Sequence, residues 1–126
     1  IIACVKAALE HGIPVVLGND VGCPWITQYD FWRELYYFHK YVGASNAFAL
    51  HTATGRAAEL AGLGAVTGTV AAGKCADLIV TTGNPLDDLR ALRNVDMVMA
   101  RGRLTREPKF KVNRTVAAEL DRWLED

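Results

Sequence analysis

Apolar positions in the first half of the chain recur at helical spacing, broken by one short apolar run. Ile1, Ile2, Val5 and Leu9 lie three to four residues apart, and His11-Gly12 then supplies a polar end and a glycine suited to a helix C′ position. Val15-Val16-Leu17-Gly18-Asn19-Asp20 is apolar and led by β-branched residues, is entered through Pro14 and is left through Gly22, Cys23 and Pro24. That pattern predicts a short strand buried on both faces. From about Tyr29 a helix is expected, with Phe31, Leu35, Phe38 and Val42 on one stripe, Asp30 as N-cap and Gly43 as its end. Ser45 can cap a further helix holding Phe48 and Leu50. Thr54-Gly55 interrupts it, and Arg56 to Leu60 forms a last short helix ended by Gly62. Ala47, Ala49, Ala53, Ala57 and Ala58 are small enough for close helix approach.

After Gly64 the texture changes. Val66 to Val70, Ala76 to Thr82 and Val95 to Ala100 read as short strands between glycine-containing turns. Asn84-Pro85 breaks the chain, and Leu86 to Leu92 is expected to form one or two helical turns with Asp87 and Asp88 near their start. Arg101-Gly102 has the length of a two-residue hairpin link into a strand starting at Arg103. Asn113 can cap a C-terminal amphipathic helix with Val116, Leu120, Trp123 and Leu124 on one face. The opening order of helix, turn, buried strand and loop is that of units which build parallel α/β sheets.

Composition narrows the class. The 126 residues suit one ordinary domain, and 51% apolar content is ample for a packed core. Fourteen basic residues balance fourteen acidic ones, so neither nucleic acid nor an anionic membrane is an expected partner. Cys4, Cys23 and Cys75 are odd in number and lack C-x-x-C spacing. They fit reduced thiols of a cytoplasmic protein better than a disulfide scaffold or zinc ribbon. No apolar run approaches the roughly 18–20 residues of a membrane span. The chain opens on Ile1-Ile2-Ala3 without an initiator Met, which points to a fragment or processed piece.

Few residues carry candidate chemistry. Gly68 to Cys75 is one residue short of a phosphate-binding loop, has Cys in place of Ser or Thr, and is followed by a strand-like run where a helix is needed. It reads as a Gly-Lys turn in a hairpin. His11, His39 and His51 form no H-x-H or H-x-x-x-H pair, so no two reach one metal from a single element. His11 suits a helix end, His39 a solvated face and His51 a helix terminus. Asp20 differs by position. A carboxylate ending a buried strand needs a metal, a cation or several donors, and strand C-termini are where active sites of parallel α/β folds sit. From the residues alone, a functional role and a turn-stabilising role stand level for Asp20. Cys23 follows in the same loop and could line a pocket or simply pack.

Five blocks in order resemble the C-terminal end of the amidohydrolase superfamily of metal-dependent hydrolases, in the branch with Xaa-Pro dipeptidase-like enzymes and imidazolonepropionase. They are Gly12 to Asp20, Ala53 to Leu60, Gly68 to Val80, Asn84 to Leu89 and Val95 to Arg103, and the similarity covers roughly residues 1 to 105. The resemblance implies an α/β fold: the C-terminal fragment of a TIM-like (β/α)8 hydrolase barrel plus part of the small flanking β-sandwich. Residues 1–63 would hold the last barrel helix and strand and the closing helices, 64–106 a β-sandwich segment, and 107–126 a tail helix. Asp20 would be both metal ligand and catalytic carboxylate, taking a proton from metal-activated water and passing it to the leaving nitrogen. Cys23, Trp25 and Gln28 would line the substrate pocket.

The implied cofactor is a divalent metal, zinc above all, with one or two ions in the complete enzyme. The implied substrate is a small amide or dipeptide. Gly18-Asn19-Asp20 stands where the family commonly has Gly-Thr-Asp, and the family's H-x-H, Lys or Glu, and later histidine ligands have no counterpart here. Activity of the isolated 126 residues is therefore not expected without the missing N-terminal part or a second chain. The alternative is a non-catalytic truncated module that pairs with another chain or with itself through exposed sheet edges and apolar helix faces.

Overall fold

A computed structural model describes residues 1–125. Helix α1 (Ile2–Glu10) turns its half-buried Val5 and Leu9 toward the core, while Ile1 and Ile2 remain exposed. It ends as its sequence predicts: Gly12 takes φ +69°, its N–H reaching Leu9 O while that of Ile13 reaches Ala8 O at 2.8 Å. Residues 15–20 carry no regular secondary structure and pair with no strand, contrary to the expected strand buried on both faces. Val15, Val16 and Leu17 are half-buried, and Val15 and Leu17 pack on the core. A strand is completed by ladder bonds from both sides, and no strand of the described residues lies beside this one.

The expected helix from Tyr29 begins later, as α2 (Trp32–Tyr37), and continues as a π-helical turn (Phe38–Val42) ended by Gly43 at φ +86°. Asp30 is not its side-chain cap. Phe31 holds the cap position, and the Asp30 carboxylate instead accepts from Thr27 Oγ1 at 2.8 Å and Trp32 Nε1 at 3.2 Å. Ser45 does cap α3 (Asn46–Ala53), its Oγ accepting from the Phe48 N–H. Thr54, at φ −123° and ψ −88°, separates α3 from α4 (Gly55–Leu60).

The later half forms one antiparallel sheet in the order β1–β2–β3, from β1 (Leu78–Thr81), β2 (Val95–Ala100) and β3 (Arg103–Arg106). Arg101 and Gly102 take φ +50° and +78°, the two left-handed positions of a tight hairpin, and Ala100 faces Arg103 across it. Asp77 braces this turn, accepting from the Arg101 N–H at 2.8 Å and from Thr67 Oγ1 at 3.0 Å. These bonds hold its carboxyl below the usual carboxylate range. Val66 to Val70 is not a strand. It forms turns in which Gly68, at φ +87°, lies so close to α4 that an added Cβ would sit 2.5 Å from Ala58 Cβ.

The expected turns before β2 are a 3-10 helix (Leu89–Arg93) capped by Asp88, and they join the two halves. Leu89 is 2% exposed and packs in one core with Leu35, Phe38, Ala44 and Ala49. Asn46 Nδ2 adds a bond to Leu86 O at 2.9 Å. The tail helix α5 (Arg114–Glu125) is capped by Asn113, as expected. Of its described side chains only Ala117 is buried. Polar ties fasten it instead: Tyr36 Oη donates to Leu124 O at 2.8 Å and Lys40 Nζ to Trp123 O at 3.1 Å.

The main tie is a buried charge. Arg33 is 3% exposed, reaches Asp121 Oδ1 of α5 at 2.7 Å and pairs with Asp30 at 3.3 Å. Its guanidinium lies 4.6 Å from the Trp32 ring, while Arg93 lies 5.7 Å from that ring and also grips Asp121 at 3.0 Å. Burial works against the Arg33 charge, but the Asp121 bond and the two carboxylates outweigh it, so its pKa is raised. Burial likewise pushes Asp121 up, yet the bonds from Arg33 and Arg93 hold its carboxyl below the ordinary range.

Truncating Leu89→Ala should cost about 3 kcal/mol, read as a lower urea midpoint, because nothing nearby can fill the space. For Asp121 the folded pKa is depressed, so its stabilisation is complete above the unfolded value of about 3.9 and fades as pH falls through the folded one. Asp121→Asn should accordingly unfold at lower temperature than the wild type at pH 7, with the gap closing toward about pH 2 in a melting series.

Candidate active site

Asp20 stands at the end of the segment that Val15 and Leu17 pin to the core. The segment cannot continue straight, because Asp20 takes φ +48°, a left-handed conformation that Asp tolerates better than most residues. The chain turns back at once, with the Cys23 N–H directed at Asp20 O at 3.4 Å and the Ile26 N–H at Cys23 O at 3.1 Å. The turn brings two of the expected site residues together: the Cys23 thiol donates to Asp20 Oδ2 at 3.4 Å. Both side chains are exposed.

Trp25 follows at φ +69°, a strained backbone for an aromatic residue, and is 49% exposed. Gln28 stands apart from Asp20. It lines a recess of about 490 Å³ with Thr27, Tyr29 and residues 111–114 of the tail. A second recess, about 590 Å³, lies between the π turn, the 3-10 helix and the end of α5, with Tyr36, His39, Lys40, Asn46 and Arg90 among its walls. Neither recess includes Asp20, Cys23 or Trp25.

The histidines take the structural roles their positions imply. His11 is the exposed C-cap of α1, and His39 Nδ1 lies 2.8 Å from Ala44 O beside the turn that follows the π-helix. The His51 ring is packed so near Gly55 that a Cβ there would come within 3.1 Å. Lys74, in the run resembling a phosphate loop, spends its ammonium on Gly64 O at 2.6 Å and Thr69 Oγ1 at 2.5 Å. The run is a tethered turn, as its flanking residues predict.

Among the described residues no three His, Cys, Asp or Glu side chains converge. Asp20 and Cys23 therefore do not compose a metal site by themselves, since a divalent catalytic ion needs at least three protein ligands. Sequence reasoning missed the approach of residues 111–114 to Gln28. Asn113 announces a helix cap, and nothing local pairs it with a loop more than eighty residues earlier.

A model of the amidohydrolase family matches residues 1–105. The chain belongs to the amidohydrolase family. Among solved structures, a candidate prolidase from Bifidobacterium longum is 40% identical with a TM-score of 0.92, covering 96% of this amidohydrolase chain and 30% of its own. A Xaa-Pro dipeptidase with methionine bound in its active site is 31% identical, with a TM-score of 0.74 over 83% of this chain and 25% of its own. Ochratoxinase from A. niger is 25% identical, with a TM-score of 0.71 over 87% and 25%. The amidohydrolase chain thus spans under a third of these relatives. No curated protein sequence matches it. No helix among the described residues is long and apolar enough to cross a membrane.

The strained backbone of Trp25 gives a direct test of its purpose. Trp25→Asn, which tolerates φ > 0, should raise stability by about 0.5–1 kcal/mol in urea unfolding. If the indole lines a substrate pocket, the same variant should lose turnover, so stability and activity move in opposite directions.

Proposed function

We propose that this chain is the C-terminal part of a metal-dependent amidohydrolase that cleaves the C–N bond of a small amide or dipeptide, with Asp20 as its catalytic carboxylate. The observation that carries the reading is the placement of Asp20. It ends a core-anchored segment, within a fold that follows a prolidase-like structure over 96% of the chain. In this reading α1 and residues 15–20 are the last helix and strand of a (β/α)8 barrel, and residues 1–63 include its closing helices. Residues 64–106 belong to a flanking β-sandwich, and 107–126 are a tail.

The sheet supports that placement. Leu78, Val80 and Leu104 are exposed on one face and Ile79 on the other, and β1 and β3 are both open edges. A sheet face this apolar needs covering by further protein. The same need explains why residues 15–20 lack ladder partners: flanking barrel strands would supply them. The covering protein is the N-terminal part of the enzyme or a second chain, and self-association is the outcome where it is missing. The isolated 126 residues are then inactive, and the enzyme works in the cytoplasm with reduced thiols.

Asp20 would serve as one ligand of a zinc site of one or two ions, completed by residues outside this chain. A divalent ion in such a site lowers the pKa of water and polarises a carbonyl. The task left to this chain is proton handling: Asp20 accepts a proton from the attacking water and returns it to the departing nitrogen. Cys23, bonded to its carboxylate, holds one oxygen in place, and Trp25 and Gln28 border the bound substrate.

In the full-length enzyme Asp20→Asn should lower kcat/KM for Xaa-Pro dipeptides by about 10³-fold while leaving the fold intact by circular dichroism. A chelator should abolish the wild-type activity and zinc should restore it. Wild-type rates in the Asp20→Asn enzyme would refute the assignment, and a full-length wild type without hydrolysis would favour the non-catalytic pairing module.

A further inference from the structure

We propose that residues 107–125, acting through Tyr29, form a positioning element that holds the loop after Asp20 in one place relative to α2. Its bearing on catalysis rests on the hydrolase reading of Asp20, but the contacts that motivate it do not. The family model matches residues 1–105, and this tail lies beyond it.

The loop has little to hold it in place by itself. Residues 21–25 are exposed, their internal ties being the two turn bonds and the thiol contact to Asp20. Upstream, the core grips Val15 and Leu17. Downstream, two separate lines run from the loop exit to the tail. In the first, the Asn113 N–H donates to Tyr29 Oη at 2.8 Å, and the Tyr29 ring stacks on Phe110 with centroids 5.7 Å apart. Asn113 caps α5, so its N–H has no partner within the helix and is free for this use. In the second, Thr27 donates to Asp30, Asp30 pairs with Arg33, and Arg33 reaches Asp121 of α5.

A merely stabilising contact would bury apolar surface, yet Phe110 is 53% exposed and Asn113 is exposed as well. What the contact fixes is direction. Tyr29 is the neighbour of Gln28, and Gln28 faces residues 111–114 across the smaller recess. The tail thereby sets where the expected substrate-facing side chains of the loop point. Tyr29, Phe110 and Asn113 are positioning residues in this scheme, and none is placed against substrate.

The test uses the full-length enzyme with Tyr29→Phe, which keeps the stacking ring and removes only the accepting oxygen. Hydrogen exchange of the Cys23 and Ile26 amides, the hydrogen-bonded ones of this loop, should quicken by about tenfold, the scale of one hydrogen bond lost from a local opening. Amides of α2 and β2 should be unaffected, and the melting temperature should move by less than about 2 °C. For Xaa-Pro dipeptides KM should rise several-fold with kcat nearly unchanged, a split that general loss of stability does not produce. Asp121→Asn breaks the second line and should quicken exchange in the same amides. Unchanged exchange at Cys23 and Ile26 in both variants would overturn the proposal, as would a uniform rise across α2 and β2 in Tyr29→Phe. Faster exchange at Cys23 and Ile26 in an enzyme without hydrolase activity would uphold the tether and refute the functional reading instead.

Discussion

Burial of Leu89 is the contact on which the arrangement depends. It comes from the 3-10 turn between β1 and β2, yet it is enclosed by Leu35, Phe38, Ala44 and Ala49 of the helical half. The sheet itself holds no fully buried apolar residue: Leu78, Ile79, Val80 and Leu104 are exposed, and Val95, Met97, Val98 and Met99 half-buried. One leucine inserted among helices therefore fixes where the sheet hangs. Val15 and Leu17 pack on the same cluster, so the position of Asp20 derives from the same core. Dispersion and transfer terms are collected there and almost nowhere else in the chain.

Arg33 adds a different kind of constraint. A guanidinium at 3% exposure is costly unless carboxylates meet it, and two do so from far apart in sequence. Asp30 is three residues away and Asp121 eighty-eight, so satisfying the charge dictates where α5 must lie. Arg93 reinforces the choice by holding the other oxygen of Asp121. Hydrophobic contact alone would leave α5 free to slide, because Ala117 is small; the ion pair has one geometry. Asp121 thus serves as the lock between a segment outside the family match and the helix that follows the candidate site.

The candidate site has the character of one wall. Asp20 and Cys23 meet each other and solvent, and the loop that follows carries its own backbone strain at Trp25. Strain persists where surroundings over-determine a conformation, and here the described surroundings are slight. That imbalance accords with a chain spanning under a third of its structural relatives.

Much of this was legible in the residues because it is local. The glycine ends at Gly12 and Gly43, the Ser45 and Asn113 caps, the Arg101-Gly102 hairpin and the stripe of Leu35, Phe38 and Val42 all follow from interactions within a few residues. The family likeness was legible too, through its five ordered blocks. Elements that need distant partners were not legible. Residues 15–20 have strand composition without strand bonds, and Val66 to Val70 yield to the close approach of Gly68 and α4. Asp30 abandons its cap because a buried Arg33 claims it. The sequence by itself determined the helix ends, the Ser45 and Asn113 caps and the hairpin turn. Only the tertiary structure decided which distant groups meet, Leu89 in the helical core and Asp121 on Arg33, because burial and charge pairing are properties of the assembled space and not of neighbours along the chain.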